Sequence, residues 1–275
     1  MSVSGNVELN YQTLTTDVVV ESALGYVESD LVFTGVSDIE NASYQGNLKA
    51  NNFHLGKLIN EPMVQLVTVD AFFDGKGFNT ETVNTIISGK VNLFEFNNYP
   101  YQNISVNGKL KKPIFQGVFH VNDPNLFMDF DGLIDISKKE NAYQFDAKID
   151  YADLVATKWI QSDSVGIFKG YVKSDLIGNS IDNLHGLVDI QGMSYQNSKK
   201  VYVFHEWFLT SSFDENKVRT ILFDSDDFIQ GRIVGKYSFQ QIGKMVENAL
   251  GSMYTNYKPN PLKQDQYVGF NLNIH

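Results

Sequence analysis

Apolar and polar side chains alternate along almost the whole of this chain, and that pattern restricts its fold more than any other feature. Leu126, Met128, Phe130, Gly132, Ile134 and Ile136 take every second position, with Phe127, Asp129, Asp131, Leu133 and Asp135 between them. Successive side chains of a strand point to opposite faces, so this segment reads as a strand with one apolar and one largely polar face. The same spacing recurs at Phe115/Gly117/Phe119/Val121, Ile104/Val106/Gly108/Leu110, Tyr143/Phe145/Ala147/Ile149/Tyr151 and Leu184/Gly186/Val188/Ile190. A long sheet with one continuous apolar face has to cover it. A second sheet would do so in a sandwich; a lipid chain could do so in an open trough.

Alternation predicts strands near 5–11, 17–24, 30–35, 42–51, 64–75, 86–96, 102–111, 114–122, 126–137, 143–151, 165–176, 184–192, 200–213, 217–225 and 228–237. A last one follows at Val268/Phe270/Leu272/Ile274. Turn signals such as Asn107-Gly108, Asp123-Pro124-Asn125 and the stretch from Lys138 to Asn141 separate many of them. The stretches 51–61 and 152–163 are less regular, and periodicity leaves each open between a helical turn and a loop. Units of the form apolar-x-Gly-x-apolar recur at Tyr44 to Leu48, Val106 to Leu110, Phe115 to Phe119, Phe168 to Val172 and Ile229 to Ile233. Mid-strand glycine marks a bend, a bulge or a close approach to the backbone.

One segment, Ser238 to Tyr254, has helical spacing: Phe239, Ile242, Val246, Ala249/Leu250 and Met253 share a face. Ser238 and Gln241 match a capping box, while Gly243 and Gly251 each weaken the helix by about 1 kcal/mol. Such a helix either packs over the end of a sheet or plugs an apolar groove. The expected fold is therefore mainly β: an elongated, curved, mostly antiparallel sheet with one main helix near 238–254. It is continuous over 1–275, with a possible sub-boundary near 76–86.

Composition excludes several function classes. The chain has 275 residues and a net charge of −10, so it has no general attraction for nucleic acid or an anionic membrane face. Its lysine pairs, 111–112, 138–139 and 199–200, are too short to track phosphates. With no cysteine, disulfides, thiolate metal sites and cysteine nucleophiles are excluded. No run of 18 apolar residues spans a bilayer as a helix. The start, Met1-Ser-Val-Ser-Gly5, lacks the regions of a signal peptide and reads as a boundary inside a longer protein.

Catalytic and metal chemistry is not indicated. His54, His120, His185, His205 and His275 are scattered without ligand spacing. The segment from Gly231 to Tyr237 has too few residues between its glycines for a phosphate loop, and Tyr237 stands where a Ser or Thr is required. The aspartates 129, 131 and 135, and 224, 226 and 227, read as solvated strand or turn groups, because calcium needs a curved loop of six to eight oxygens. Asn41-Ala-Ser43 and Asn103-Ile-Ser105 match glycosylation sequons. No enzyme, metal or cofactor is expected.

From Gly89 to Pro259 the chain resembles the TamB (translocation and assembly module) family in its Bacteroidota form. The resemblance rests on the order of segments: Val106 to Lys112, Asp123-Pro124-Asn125, Met128 to Ser137, Tyr143 to Ala152, Phe168-Lys169-Gly170, Gly178 to Gly186, Tyr195-Gln196-Asn197 and Thr210 to Glu215. Its most specific part runs from Gly235 to Gln241, Glu247 to Ser252 and Tyr254 to Pro259. That family is related to AsmA-like and bridge-like lipid transfer proteins. The resemblance implies the middle of a periplasm-spanning envelope protein, anchored in the inner membrane through parts outside this sequence. It also implies a taco-shaped β trough that moves phospholipids between membranes and supports outer-membrane protein assembly with a TamA-like barrel partner. Candidate contacts for phospholipid acyl chains are Phe115, Phe119, Val121, Leu126, Met128, Phe130, Ile134 and Ile136; Phe239, Ile242, Val246, Leu250 and Met253 are candidates for a groove cap. Two other readings stay open: a scaffold or chaperone whose sheet edges pair with client strands, and a secreted β-sandwich or β-helix binding module.

Overall fold

The computed structural model describes residues 1–38, 42–78, 81–137, 139–161, 164–225, 227–262 and 265–274. Asn41, Lys138, Asp226 and His275, which figure in the motifs above, lie outside the described residues. The strands are β1 (Ser2–Leu9), β2 (Thr13–Ser22), β3 (Gly25–Thr34), β4 (Ser43–His54), β5 (Val64–Lys76), β6 (Asn84–Phe96), β7 (Tyr99–Lys111) and β8 (Ile114–Asp123). They continue as β9 (Leu126–Asp135), β10 (Ala142–Asp153), β11 (Gly166–Ile177), β12 (His185–Asn197), β13 (Val201–Phe213), β14 (Arg219–Ser225), β15 (Ile229–Lys236) and β16 (Tyr267–Ile274). A short helix α1 (Leu55–Ile59) follows β4, and α2 (Phe239–Gly251) separates β15 from β16.

All sixteen strands form one antiparallel sheet in strict sequence order, and β1 and β16 do not meet to close a barrel. Among the described residues there is one sheet and not a facing pair. Every second hairpin therefore lies on the same long margin. The first margin carries α1 and the connecting residues 97–98, 124–125, 154–161 and 164–165. The second carries 112–113, 136–137, 139–141, 178–184 and α2. Lys76 pairs with Asn84, so the sheet runs without a break through 76–86.

Two lines along the sheet let it bend. Glycines 108, 117 and 132 are directly paired on adjacent strands β7, β8 and β9. A Cβ on Gly117 would lie 2.4 Å from the Asn107 carbonyl oxygen, and one on Gly132 would lie 2.4 Å from that of Gln144. The strands approach there more closely than a side chain permits. The second line is a set of register shifts toward the first margin, between Ala50/Phe53, Thr68/Val69, Ile149/Ala152 and Lys169/Tyr171. Bulges bend a strand and raise its twist. One of them also moves a residue between faces: Ala152, not Tyr151, continues the apolar set of Ile149, because Tyr151 pairs with Phe127 on the polar side.

The sheet buries little. Its accessible surface is 17,070 Å², against about 12,000 Å² for a compact protein of 31 kDa. A sheet closed against a second layer would not leave that excess. On the polar face oppositely charged residues stand at facing positions: Glu28, Lys49, Asp70 and Lys90 are successive register partners across β3 to β6, an order that favours a ladder. Farther along, the cross-strand partners His120 and Asp129 are hydrogen-bonded at 2.5 Å.

Candidate functional site: an apolar floor with two covers

A single file of directly paired residues crosses the whole sheet on one face. It starts Val7, Thr16, Leu31, Gly46, Phe73, Ile87 on β1 to β6. It passes the three paired glycines and continues Phe145, Ser174, Val188, Leu209 on β10 to β13. It ends Phe223, Gly231, Leu272. No member carries a charge. The next file on the opposite face contains Asp17, Asp30, Asp131, Asp146, Lys173, Asp189 and Asp224, interrupted by the exposed apolar residues Phe72, Val118 and Phe208. Between the bulges side chains alternate, so along this file the register separates a floor without charge from a back that carries the charged residues.

The sequence-derived candidates fall on this floor with one exception. Phe115, Phe119 and Val121 of β8 pair with Ile134, Phe130 and Met128 of β9, and Leu126 lies opposite Asp123 at the strand ends. Phe119 and Phe130 stack with ring centroids 4.3 Å apart, and Phe130 meets Phe145 at 5.2 Å. Ile136 lies beyond the end of β9 and is exposed, its N–H donating to the Pro113 carbonyl. It lies just outside the paired strand. Asp135 also departs from expectation: it is buried, with the Ser137 N–H donating to its carboxylate.

At the first margin the connection after β10 folds back as a strap. The Asp153 side chain accepts from the Val155 and Ala156 N–H groups, and the Thr157 hydroxyl donates to the Asp153 carbonyl. These bonds aim the chain toward the β6–β7 hairpin, about 14 Å away at normal strand spacing. There the Trp159 indole N–H donates to the Tyr101 hydroxyl (2.8 Å), Lys158 Nζ to the Asn98 carbonyl (2.7 Å) and the Asn97 amide to the Lys158 carbonyl. Asn97, Asn98 and Lys158 all adopt positive φ to make the junction. Beneath it Asp123 is 0% exposed and accepts from the Tyr99 hydroxyl (2.6 Å) and the Gln102 and Asn125 N–H groups. Burial, followed by the bond to Asp123, pushes the Tyr99 phenol up to about 12.

A second cover lies diagonally opposite. Arg219 on β14 faces the floor at 4% exposure. It donates to the Ser211 hydroxyl and to the carbonyls of Ile181, Asp182 and Leu184, so it fixes the 178–184 connection over the floor. Its guanidinium also lies over the rings of Phe213 and Phe239. Burial pulls Arg219 down from its ordinary value, opposed by Tyr237 and Asp182. The capping box is not formed: Ser238 makes no side-chain cap bond, and Asp182 accepts from the Phe239 N–H at 2.7 Å instead. Of the proposed cap residues, Phe239 and Ile242 are half-buried, while Val246, Leu250 and Met253 are exposed. Met245 is the buried apolar residue of α2.

Neither cover was readable in the sequence beforehand. The strap rests on Lys158, Trp159 and Asn97, and the second cover on Arg219, which reaches the carbonyls of Ile181, Asp182 and Leu184 far off in the chain. Among the described residues no cluster of histidines and carboxylates is arranged to hold a metal. Asp227, from the second acidic group, pairs with His205 at 2.6 Å, and the His205 N–H and ring hold its carboxyl below the usual range. No helix of the described residues is long and apolar enough to cross a membrane. Comparison with protein-family models, with curated proteins and with solved structures found no match.

Proposed function

We propose that this chain is a section of a lipid-conducting trough of the TamB type, in which phospholipid acyl chains lie on the apolar floor and slide along it. The observation that carries the reading is the uncharged file from Val7 to Leu272 on an open sheet. Apolar area on such a face is worth about 25 cal/mol per Å² when removed from water, and no second layer of protein covers its full length. Burial of this kind is non-directional, so a chain can move from strand to strand without crossing a barrier of specific bonds. The sequence resemblance supplies the setting: a periplasmic segment of an envelope protein, inner-membrane anchored and reaching a TamA-like barrel through other parts. No catalytic step is assigned to it. Native mass spectrometry of the purified protein from a Gram-negative host is expected to show bound phospholipid that organic extraction removes. Protein free of lipid, which also fails to take up phospholipid from vesicles, would refute the reading.

A further inference from the structure

The two covers lie on opposite margins and over different strands, and this has a consequence for any occupant of the floor. Over β7 to β10 the strap covers the half of the floor next to the first margin. Tyr99, Tyr101, Val121 and Ala152 are buried there, and Thr157 of the strap is buried with them. The half next to the second margin, with Leu110, Phe115, Ile134 and Tyr143, has no such cover and is only half-buried. Over β13 to β15 the arrangement reverses. The 178–184 connection and Phe239 close on Arg219, and Ser211 and Ile221 are buried beside it on the second-margin half. The first-margin half of β12 and β13 carries Met193, Tyr195, Tyr202, Phe204 and Trp207, again half-buried.

We infer that the lipid track is diagonal: acyl chains occupy the second-margin half of the floor on β7 to β10 and cross between β10 and β12. They then continue along the first-margin half on β12 and β13. The inference rests on the lipid-trough reading and adds where on the floor the chains lie. The crossing has suitable residues, because Ala147, Val172 and Ile190 are successive cross-strand partners there and carry no charge. Beyond it the aromatic group of Phe204 with Trp207 (6.0 Å), Tyr202 (6.5 Å) and Phe228 (5.3 Å) forms an acyl-chain site outside the 115–136 hairpin. Trp207 adds an indole N–H with no protein partner. The strap and the Arg219 cover thus act as walls that steer the chain between them.

The test uses a diazirine amino acid of about leucine's size, placed singly at Phe115, Phe204, Val121 or Ile221 in the purified protein. Each variant is irradiated with vesicles of radiolabelled phosphatidylethanolamine and phosphatidylglycerol. Capture is expected at 115 and 204, with the buried positions 121 and 221 at the level of unirradiated samples. Trp159→Ala, which releases the strap, is expected to bring capture at 121 up toward that at 115. This gain of signal cannot come from misfolding that simply abolishes binding, provided 115 still labels in the same variant. Equal capture at all four positions, or no gain at 121 on strap release, overturns the diagonal track while leaving a lipid trough. Absence of capture at all four overturns the trough itself.

Discussion

Asp123→Ala is expected to lower the unfolding free energy by about 4 kcal/mol, since bonds to a charged group contribute about 1.5–3 kcal/mol each and an orphaned buried donor costs a further 1–3. The carboxylate is fully buried and accepts from Tyr99, Gln102 and Asn125. Alanine leaves these donors facing one another beneath the strap. Asp123→Asn, which keeps one acceptor oxygen, should lie between the two. Urea unfolding followed by Trp159 fluorescence in a Trp207→Phe background reads the strap directly. A midpoint shift equivalent to less than about 1 kcal/mol would show that the carboxylate does not hold this end together. The same cluster has an alkaline signature. Burial and Asp123 raise the Tyr99 phenol from 10.0 to about 12, so folding favours the protonated form. Its contribution is complete below pH 10 and is lost as pH rises from about 10 to about 12. The stability difference between wild type and Tyr99→Phe should shrink over that interval.

Arg219→Leu is expected to cost about 3 kcal/mol, the sum of two or more carbonyls left without donors and partly offset by removing a buried cation. The guanidinium reaches three backbone carbonyls and a hydroxyl at once. Lysine cannot reproduce that planar fork, so Arg219→Lys should recover only part of the loss. The local readout is faster amide exchange in 178–184 and at the start of α2, with β5 to β9 unchanged. Uniformly faster exchange throughout the sheet would mean that Arg219 supports the whole fold and not one cover.

The strands were legible because period-two alternation is a local property of the chain. The segment 126–134 could be assigned to faces residue by residue, and four of the five apolar-x-Gly-x-apolar glycines, 46, 108, 117 and 231, stand in the file that crosses every strand. The first three strands were read late, at 5–11, 17–24 and 30–35, where the structure has Ser2–Leu9, Thr13–Ser22 and Gly25–Thr34. The two turns between them carry only Asn10 and the flanking Gly25 as punctuation. The first is made by Asn10, whose side chain accepts from the Thr13 N–H, and it precedes a threonine-rich strand that is easily mistaken for a turn. Tyr151 was assigned to the wrong face because a bulge changes the alternation without any glycine or proline to announce it. Helix α2 was legible from its apolar period, but period alone does not say which residue is covered. Phe239 and Ile242 pack while Val246, Leu250 and Met253 remain in solvent. The covers could not be read at all, since the strap depends on contacts across 58 to 61 residues of sequence and the Arg219 cover on contacts across 35 to 38.

The most direct measurement of the central claim compares the two faces at the middle of the sheet. Phe119 is on the uncharged floor, and Gln116 and Asp131 are on the solvated back of the same hairpin. Burying Asp131 without a partner would be costly, which fixes the direction in which the apolar set must point. A photo-crosslinking residue at 119, introduced in cells and activated by light, is expected to capture phospholipid, whereas one at 116 or 131 is not. Equal capture from both faces, or capture from neither, would contradict the account of this sheet as a conduit for lipid.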